Sequence, residues 1–181
     1  MILYHTGFLA LPNPDVHYGR RNADFGQGFY LTPEKEFALR WAKERKGEES
    51  ILNKYEFDPS GLTIHRFTKD ADWFSYIFSN RRGKADSIGA DVIIGPIAND
   101  TIYDTMGIIT SGFLTDDQAL QLLLLGPEYT QITLKTEKAA EHLIWKEARK
   151  MEPDEILQRR AAVKAEEDDY WRAIGETMDK F

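Results

Sequence analysis

Apolar and polar positions along the chain fall into short segments of two periods. Residues 1–5 read as a buried strand. Residues 7–27 break the pattern with two prolines, three glycines, two asparagines and two aspartates, which makes them a long loop of the kind that often carries function. Residues 29–31 resume a strand. Thr32-Pro33-Glu34 predicts a helix start, with a hydroxyl N-cap, proline at the first helical position and an acid at the positive dipole end. Phe37, Ala38, Trp41 and Ala42 then share a face at helical spacing, and Gly47 is a candidate C-cap. Residues 52–57 alternate as a strand, with Asn53, Tyr55 and Phe57 on one face, and Asp58-Pro59-Ser60-Gly61 is a turn.

The second half reads similarly. Residues 72–79 predict an aromatic-rich helix ending near Asn80-Arg81-Arg82-Gly83, and residues 91–96 a buried strand stopped by Gly95-Pro96. Thr115-Asp116-Asp117 caps a helix running to about Leu125, and residues 129–134 form a late strand. Thr136 predicts a further helix to about Lys150. Pro153-Asp154 opens a last helix of about 25 residues. Its apolar positions Ile156, Val163, Tyr170, Ile174, Met178 and Phe181 lie on one stripe. Strands scattered among helices without regular βαβ alternation predict an α+β fold. One domain over residues 1–150 is expected. The amphipathic helix of residues 151–181 then packs on that domain, on a second copy or on a partner.

Composition narrows the function classes. A chain of 181 residues suits a single domain with a real core. The net charge of −7 argues against a general nucleic-acid-binding surface, although Arg20-Arg21 and Arg81-Arg82 could line a local basic cleft. With no cysteine there is no disulfide, thiolate metal site or cysteine nucleophile. His17, His65 and His142 lack metal-ligand spacing, so no metal is expected. The longest apolar stretch, residues 119–125, is far too short to span a bilayer, and no signal-peptide pattern opens the chain; a cytoplasmic protein without membrane contact is expected. Neither G-x-G-x-x-G after a strand nor a Walker A pattern is present.

Candidate chemistry centres on two segments. His5 ends the first strand with Gly7 two residues on, and a lone histidine in a strand is usually a core residue with its ring nitrogens satisfied. In Asp24-Phe25-Gly26-Gln27-Gly28-Phe29-Tyr30-Leu31-Thr32, paired glycines allow close approach of a ligand, and strand alternation sends Phe29 and Tyr30 to opposite faces. A loop feeding a core strand is the plainer reading.

Taken together, Tyr4-His5-Thr6-Gly7, an arginine upstream of Asp24-Phe25-Gly26-x-Gly28-Phe29-Tyr30-Leu31-Thr32, a helix bearing Trp41, Asn80-Arg81, residues 91–100 and residues 131–139 resemble a bacterial family of the ADP-ribosyltransferase superfamily. The resemblance covers about residues 2–145. It implies split antiparallel β-sheets flanked by helices, with NAD as substrate. In the diphtheria-toxin and poly-ADP-ribose-polymerase type, a His, a Tyr and usually a Glu act from three strands. Carried over, His5 would bond a ribose hydroxyl, backbone groups near Thr6 and Gly7 would hold the nicotinamide carboxamide, and Tyr30 would stack on its ring. Asp24, Phe25, Gly28, Phe29, Asn80 and Arg81 would line the NAD pocket. The resemblance further implies small antitoxin-like genomic neighbours, and with them a toxin–antitoxin role.

The third position departs from the pattern. Gln131 stands where an acid is usual, and glutamine carries no charge and is no base. Glu128 is the rival for the chemistry. Arg20 or Arg21 could clamp a diphosphate or remain a solvated loop arginine. Asn80-Arg81 could cap a helix or reach the cleft, and Asn99-Asp100 could be only a helix cap. Two functions compete: NAD-dependent mono-ADP-ribosyltransferase acting on a macromolecule, and a module binding NAD, ADP-ribose or a protein without catalysis. A nuclease acting on RNA is disfavoured by the acidic charge.

Overall fold

In a computed structural model the described residues are 1–42, 46–99 and 112–181. They form a mixed α+β structure of seven strands and five helices, in two sheets. Strand β1 (Ile2–Gly7), β3 (Ile51–Phe57) and β7 (Leu143–Lys150) make an antiparallel sheet in the order β1-β3-β7. Strand β2 (Phe29–Leu31), β6 (Thr130–Leu134), β5 (Val92–Pro96) and β4 (Ile64–Arg66) make the second, in the order β2-β6-β5-β4.

The expectation of wholly antiparallel sheets is corrected at one place: β4 pairs with β5 in parallel. Parallel neighbours need a crossover. Helix α2 (Ala71–Arg81) provides it, so one βαβ unit is embedded in the fold.

Alternation along the strands sorts side chains into layers. Leu3, Tyr55 and Phe57 of the first sheet pack against Phe29, Leu31, Val92, Ile94, Ile132 and Leu134 of the second. The other face of the second sheet, with Ile93, lies under Phe25, the α2 residues Trp73, Tyr76 and Ile77, and Leu122 and Leu123 of α3 (Asp116–Leu123). Helix α1 (Lys35–Arg40) covers the far side of the first sheet, where Ala38 and Leu39 meet Leu52. Asn53 is buried in the Asn53-Tyr55-Phe57 row. Its amide ties down the loop after β1 by donating to the Leu9 carbonyl at 2.9 Å and accepting from Leu11 N at 2.9 Å.

Helix starts follow local chemistry in most cases. Thr115 forms a capping box with Gln118. Asp70 caps α2 by accepting from Trp73 N at 3.0 Å. The predicted start at Thr32 is displaced: α1 begins at Lys35 with Glu34 in the N-cap position. Thr32 stays extended because it bridges to Tyr4, and its hydroxyl accepts from Glu34 N at 3.2 Å. The helix also ends at Arg40, so Gly47, at φ +81°, lies well beyond it and caps nothing of it. Trp41 does not join the buried face; it is 38% exposed, edge-on to Phe37.

The largest correction concerns residues 137–150. Thr136 caps only a short α4 (Glu137–Glu141), accepting from Ala139 N at 3.1 Å. The chain then turns and runs out as β7. Residues 143–150 have fair helix propensity, but β3 would otherwise present an open edge of unpaired backbone groups. Cross-strand ion pairs reward the pairing: Lys54 with Glu147 at 3.1 Å and Lys146 with Glu56 at 2.5 Å.

Helix α5 (Pro153–Met178) contributes Ile156 to the cluster with Ala38 and Leu39, and Tyr170 and Ile174 to the cluster with Trp73. Val163 is half-buried, whereas Met178 and Phe181 are exposed. No helix among the described residues is long and apolar enough to cross a membrane.

Candidate functional site

The two sheets are stitched at Tyr4 and Thr32, which exchange backbone hydrogen bonds of 2.8 and 3.0 Å. Beyond that bridge β1 and β2 belong to different sheets, and the imidazole of His5 reaches from β1 to the backbone of β2. Its Nδ1 lies 2.8 Å from the Tyr30 carbonyl oxygen. A carbonyl only accepts, so Nδ1 carries the hydrogen and Nε2 presents a lone pair. Burial pushes the His5 pKa below its ordinary value of 6.5, more strongly than the Tyr30 hydrogen bond raises it. The ring is therefore neutral at physiological pH, an acceptor at Nε2. A side chain on Gly7 would come within 3.2 Å of Nε2, so glycine keeps this nitrogen open. Phe29 packs on the ring at 4.6 Å.

Tyr30 leaves β2 on the opposite face. Its hydroxyl donates to the Gly26 carbonyl at 2.6 Å and accepts from Phe25 N at 3.0 Å. Burial, followed by the nearby Asp24 charge, holds the phenol well above its ordinary pKa, so it stays protonated. The same turn is held by three more side chains. Arg81 Nε donates to Asp24 Oδ1 at 2.8 Å, Asn80 Nδ2 donates to the Asp24 carbonyl at 3.1 Å, and Lys135 Nζ donates to the Phe25 carbonyl. Asp24, Phe25, Tyr30, Asn80 and Arg81 thus converge, with Asp24 and Arg81 forming an ion pair whose side chains are 9% and 8% exposed. Lys135 belongs to this knot too; it sits 3.3 Å from Asp86. Phe25 is wholly buried. Gly28 is obligatory: an added Cβ would lie 2.6 Å from the Leu134 carbonyl oxygen and from Thr133 Cγ2.

Gln131 shares the Tyr30 face of the second sheet. Tyr30 pairs with Thr133 in β6, and Gln131 is two residues along the same strand, one diagonal step away. Gln131 is 7% exposed and its Nε2 has no hydrogen-bond partner among the described residues. A buried donor without a partner is uncommon and asks for an explanation. Past Gln131, on the same side of β6, Tyr129 borders a cleft of about 340 Å³. Gly126 and Pro127 form one wall, and Glu166, Asp169 and Tyr170 of α5 the other.

Other predicted positions are placed differently. Glu128 is exposed, on the turn before β6, with its charge felt by Lys69. Arg20 and Arg21 are exposed on the loop between β1 and β2. Thr6 Oγ1 donates to the Ala38 carbonyl at 2.5 Å, pinning α1 to β1. Asn99 is wholly buried, with Oδ1 unpartnered among the described residues; Asp100 lies outside them. Among the described residues no group of three or more His, Asp or Glu side chains is placed to hold a metal ion.

One acid escaped the sequence reading. Glu34, taken as a helix-start acid, turns its side chain back to the sheet, where Oε2 accepts from Thr32 Oγ1 at 2.8 Å and from Thr130 N at 3.2 Å. The only local signal was its place two residues after Thr32.

Chemically, the arrangement offers a neutral acceptor at a sheet split, an aromatic ring, a free amide donor and an anchored carboxylate. These groups can orient hydroxyls and stabilise positive charge. No curated protein matches the chain. A family model described as protein of unknown function (DUF3990) matches residues 1–145. The matched span contains β1 through β6, His5, the Asp24–Arg81 knot and Gln131, and the chain belongs to the DUF3990 family.

Proposed function

We propose that this chain is an NAD-dependent mono-ADP-ribosyltransferase of bacterial type, the toxin of a toxin–antitoxin pair. The observation that carries the reading is the His5 geometry: a neutral imidazole, fixed through Nδ1 to the Tyr30 carbonyl, offering Nε2 beside a side-chain-free Gly7. Such a nitrogen accepts a hydrogen bond from a ribose hydroxyl. The resemblance to the ADP-ribosyltransferase superfamily, carried by Tyr4-His5-Thr6-Gly7 and Gly28-Phe29-Tyr30-Leu31-Thr32, supplies the substrate class. Breaking the bond from ribose to nicotinamide builds oxocarbenium-like charge, as in glycoside cleavage, so the protein must position and stabilise rather than attack. The acceptor is a macromolecule, and a small antitoxin protein is the expected partner.

The test uses the full chain with NAD, following nicotinamide release and ADP-ribose transfer into a bacterial extract. His5→Ala or Tyr30→Ala should abolish both while leaving a folded protein. If both folded variants remain as active as wild type, the reading fails. Expression should also arrest growth of a bacterial host.

The uncharged Gln131 favours a second reading, a module of the same kind that binds NAD or ADP-ribose without turning it over. Calorimetric binding of NAD with no nicotinamide release selects it.

A further inference from the structure

Glu34 occupies the N-cap position of α1 yet makes no capping hydrogen bond to its own helix. An acid at an N-cap ordinarily accepts from the second or third helical N–H. Here the side chain gives that up. Its Oε2 is fixed instead by Thr32 Oγ1 at 2.8 Å and Thr130 N at 3.2 Å. These two anchors bracket Gln131. Thr130 precedes it in β6, and the Leu31–Ile132 pairing, carried one step on, sets Thr32 across from it. Glu34 is half-buried, and no hydrogen bond to its Oε1 is found among the described residues. The neighbouring cation, Arg40, reaches over the Tyr129 ring to make a two-pronged pair with Glu166.

We propose that Glu34 supplies the negative charge that Gln131 lacks, as a catalytic residue at the nicotinamide ribose. The proposal rests on the NAD reading above. The work of one acid is divided: the free Nε2 of Gln131 orients a ribose hydroxyl, and the Glu34 carboxylate faces the developing positive charge. In the step, the bond between ribose C1′ and the nicotinamide nitrogen breaks and its electron pair leaves with nicotinamide. Positive charge spreads over C1′ and the ring oxygen. The acceptor hydroxyl, or water, forms the new bond to C1′ and gives its proton to the Glu34 carboxylate.

The experiment uses the full chain, with NAD as the probe. Glu34→Gln keeps an oxygen that can accept from Thr32 and Thr130, so its unfolding midpoint should match wild type. Its nicotinamide release should fall on the order of 100-fold, the loss typical of removing one preorganised charge-stabilising group, with the calorimetric Kd for NAD unchanged. Should Glu34→Gln not fold, Thr32→Val, which leaves the carboxylate but removes one anchor, should lower turnover at constant Kd. A folded Glu34→Gln variant that releases nicotinamide at the wild-type rate overturns the assignment and leaves the NAD reading standing. So does one that loses affinity and turnover in equal proportion. Wild-type protein that binds NAD without turnover overturns it in favour of the binding module. Wild-type protein that binds no NAD removes both proposals.

Discussion

Asp24 and Arg81, far apart in sequence, meet as an ion pair of 2.8 Å with both side chains at most 9% exposed, and so fasten the glycine-flanked turn to the end of α2. Removing one partner strands a buried charge, whereas removing both does not. Asp24→Asn alone should cost about 3–5 kcal/mol, and the double change Asp24→Asn with Arg81→Met should restore part of it. A double-mutant cycle in urea measures the coupling; simple additivity of the two single losses would show that the pair is inert.

His5 makes stability depend on pH. Its folded pKa lies below the unfolded value of 6.5, so below that pH the unfolded chain takes up a proton that the native state refuses. The contribution is fully present above pH 6.5 and is lost as pH falls through the folded pKa. His5→Asn keeps a donor for the Tyr30 carbonyl but cannot titrate. Between about pH 7.5 and pH 5, wild type should therefore lose more unfolding free energy than the variant. Equal losses would mean that His5 is not buried neutral.

Gly28→Ala places a methyl group 2.6 Å from the Leu134 carbonyl oxygen, and a backbone oxygen in a paired strand has nowhere to go. The variant should lose about 1–3 kcal/mol. In a chain of this size that shifts the thermal midpoint by several degrees, which calorimetry resolves. A midpoint equal to wild type would show that β2 and β6 can separate at no cost.

Gln131→Glu adds a carboxyl at a position 7% exposed. Burial raises its pKa above the unfolded value of about 4.3, so the variant's stability relative to wild type should fall as pH rises. Thermal midpoints at acid and alkaline pH read this directly. If the binding-module reading holds, the same variant should gain nicotinamide release.

Much of the fold was legible because its signals are local. The alternation of Asn53, Tyr55 and Phe57 put three side chains on one buried face, and the structure keeps them there. The Thr115 capping box and the Pro153 start each place a helix terminus through chemistry completed within a few residues. The candidate site was legible only in part. Asp24, Tyr30, Asn80 and Arg81 are brought together, but through hydrogen bonds that no spacing announces. Glu34 resembled any acid at a helix start until its side chain was seen to turn away from the helix.

By itself, the chain's periodicity determined most strands and helices, the burial of the Val92–Pro96 run and the opposite facing of Phe29 and Tyr30, because one residue's φ and ψ set the direction of the next side chain. Only tertiary structure decided that residues 143–150 extend rather than coil, that β4 joins β5 in parallel, and that His5 Nδ1 meets the Tyr30 carbonyl. Each of these turns on backbone groups of a distant segment needing partners. That requirement is met across the sheet, and local propensity cannot register it.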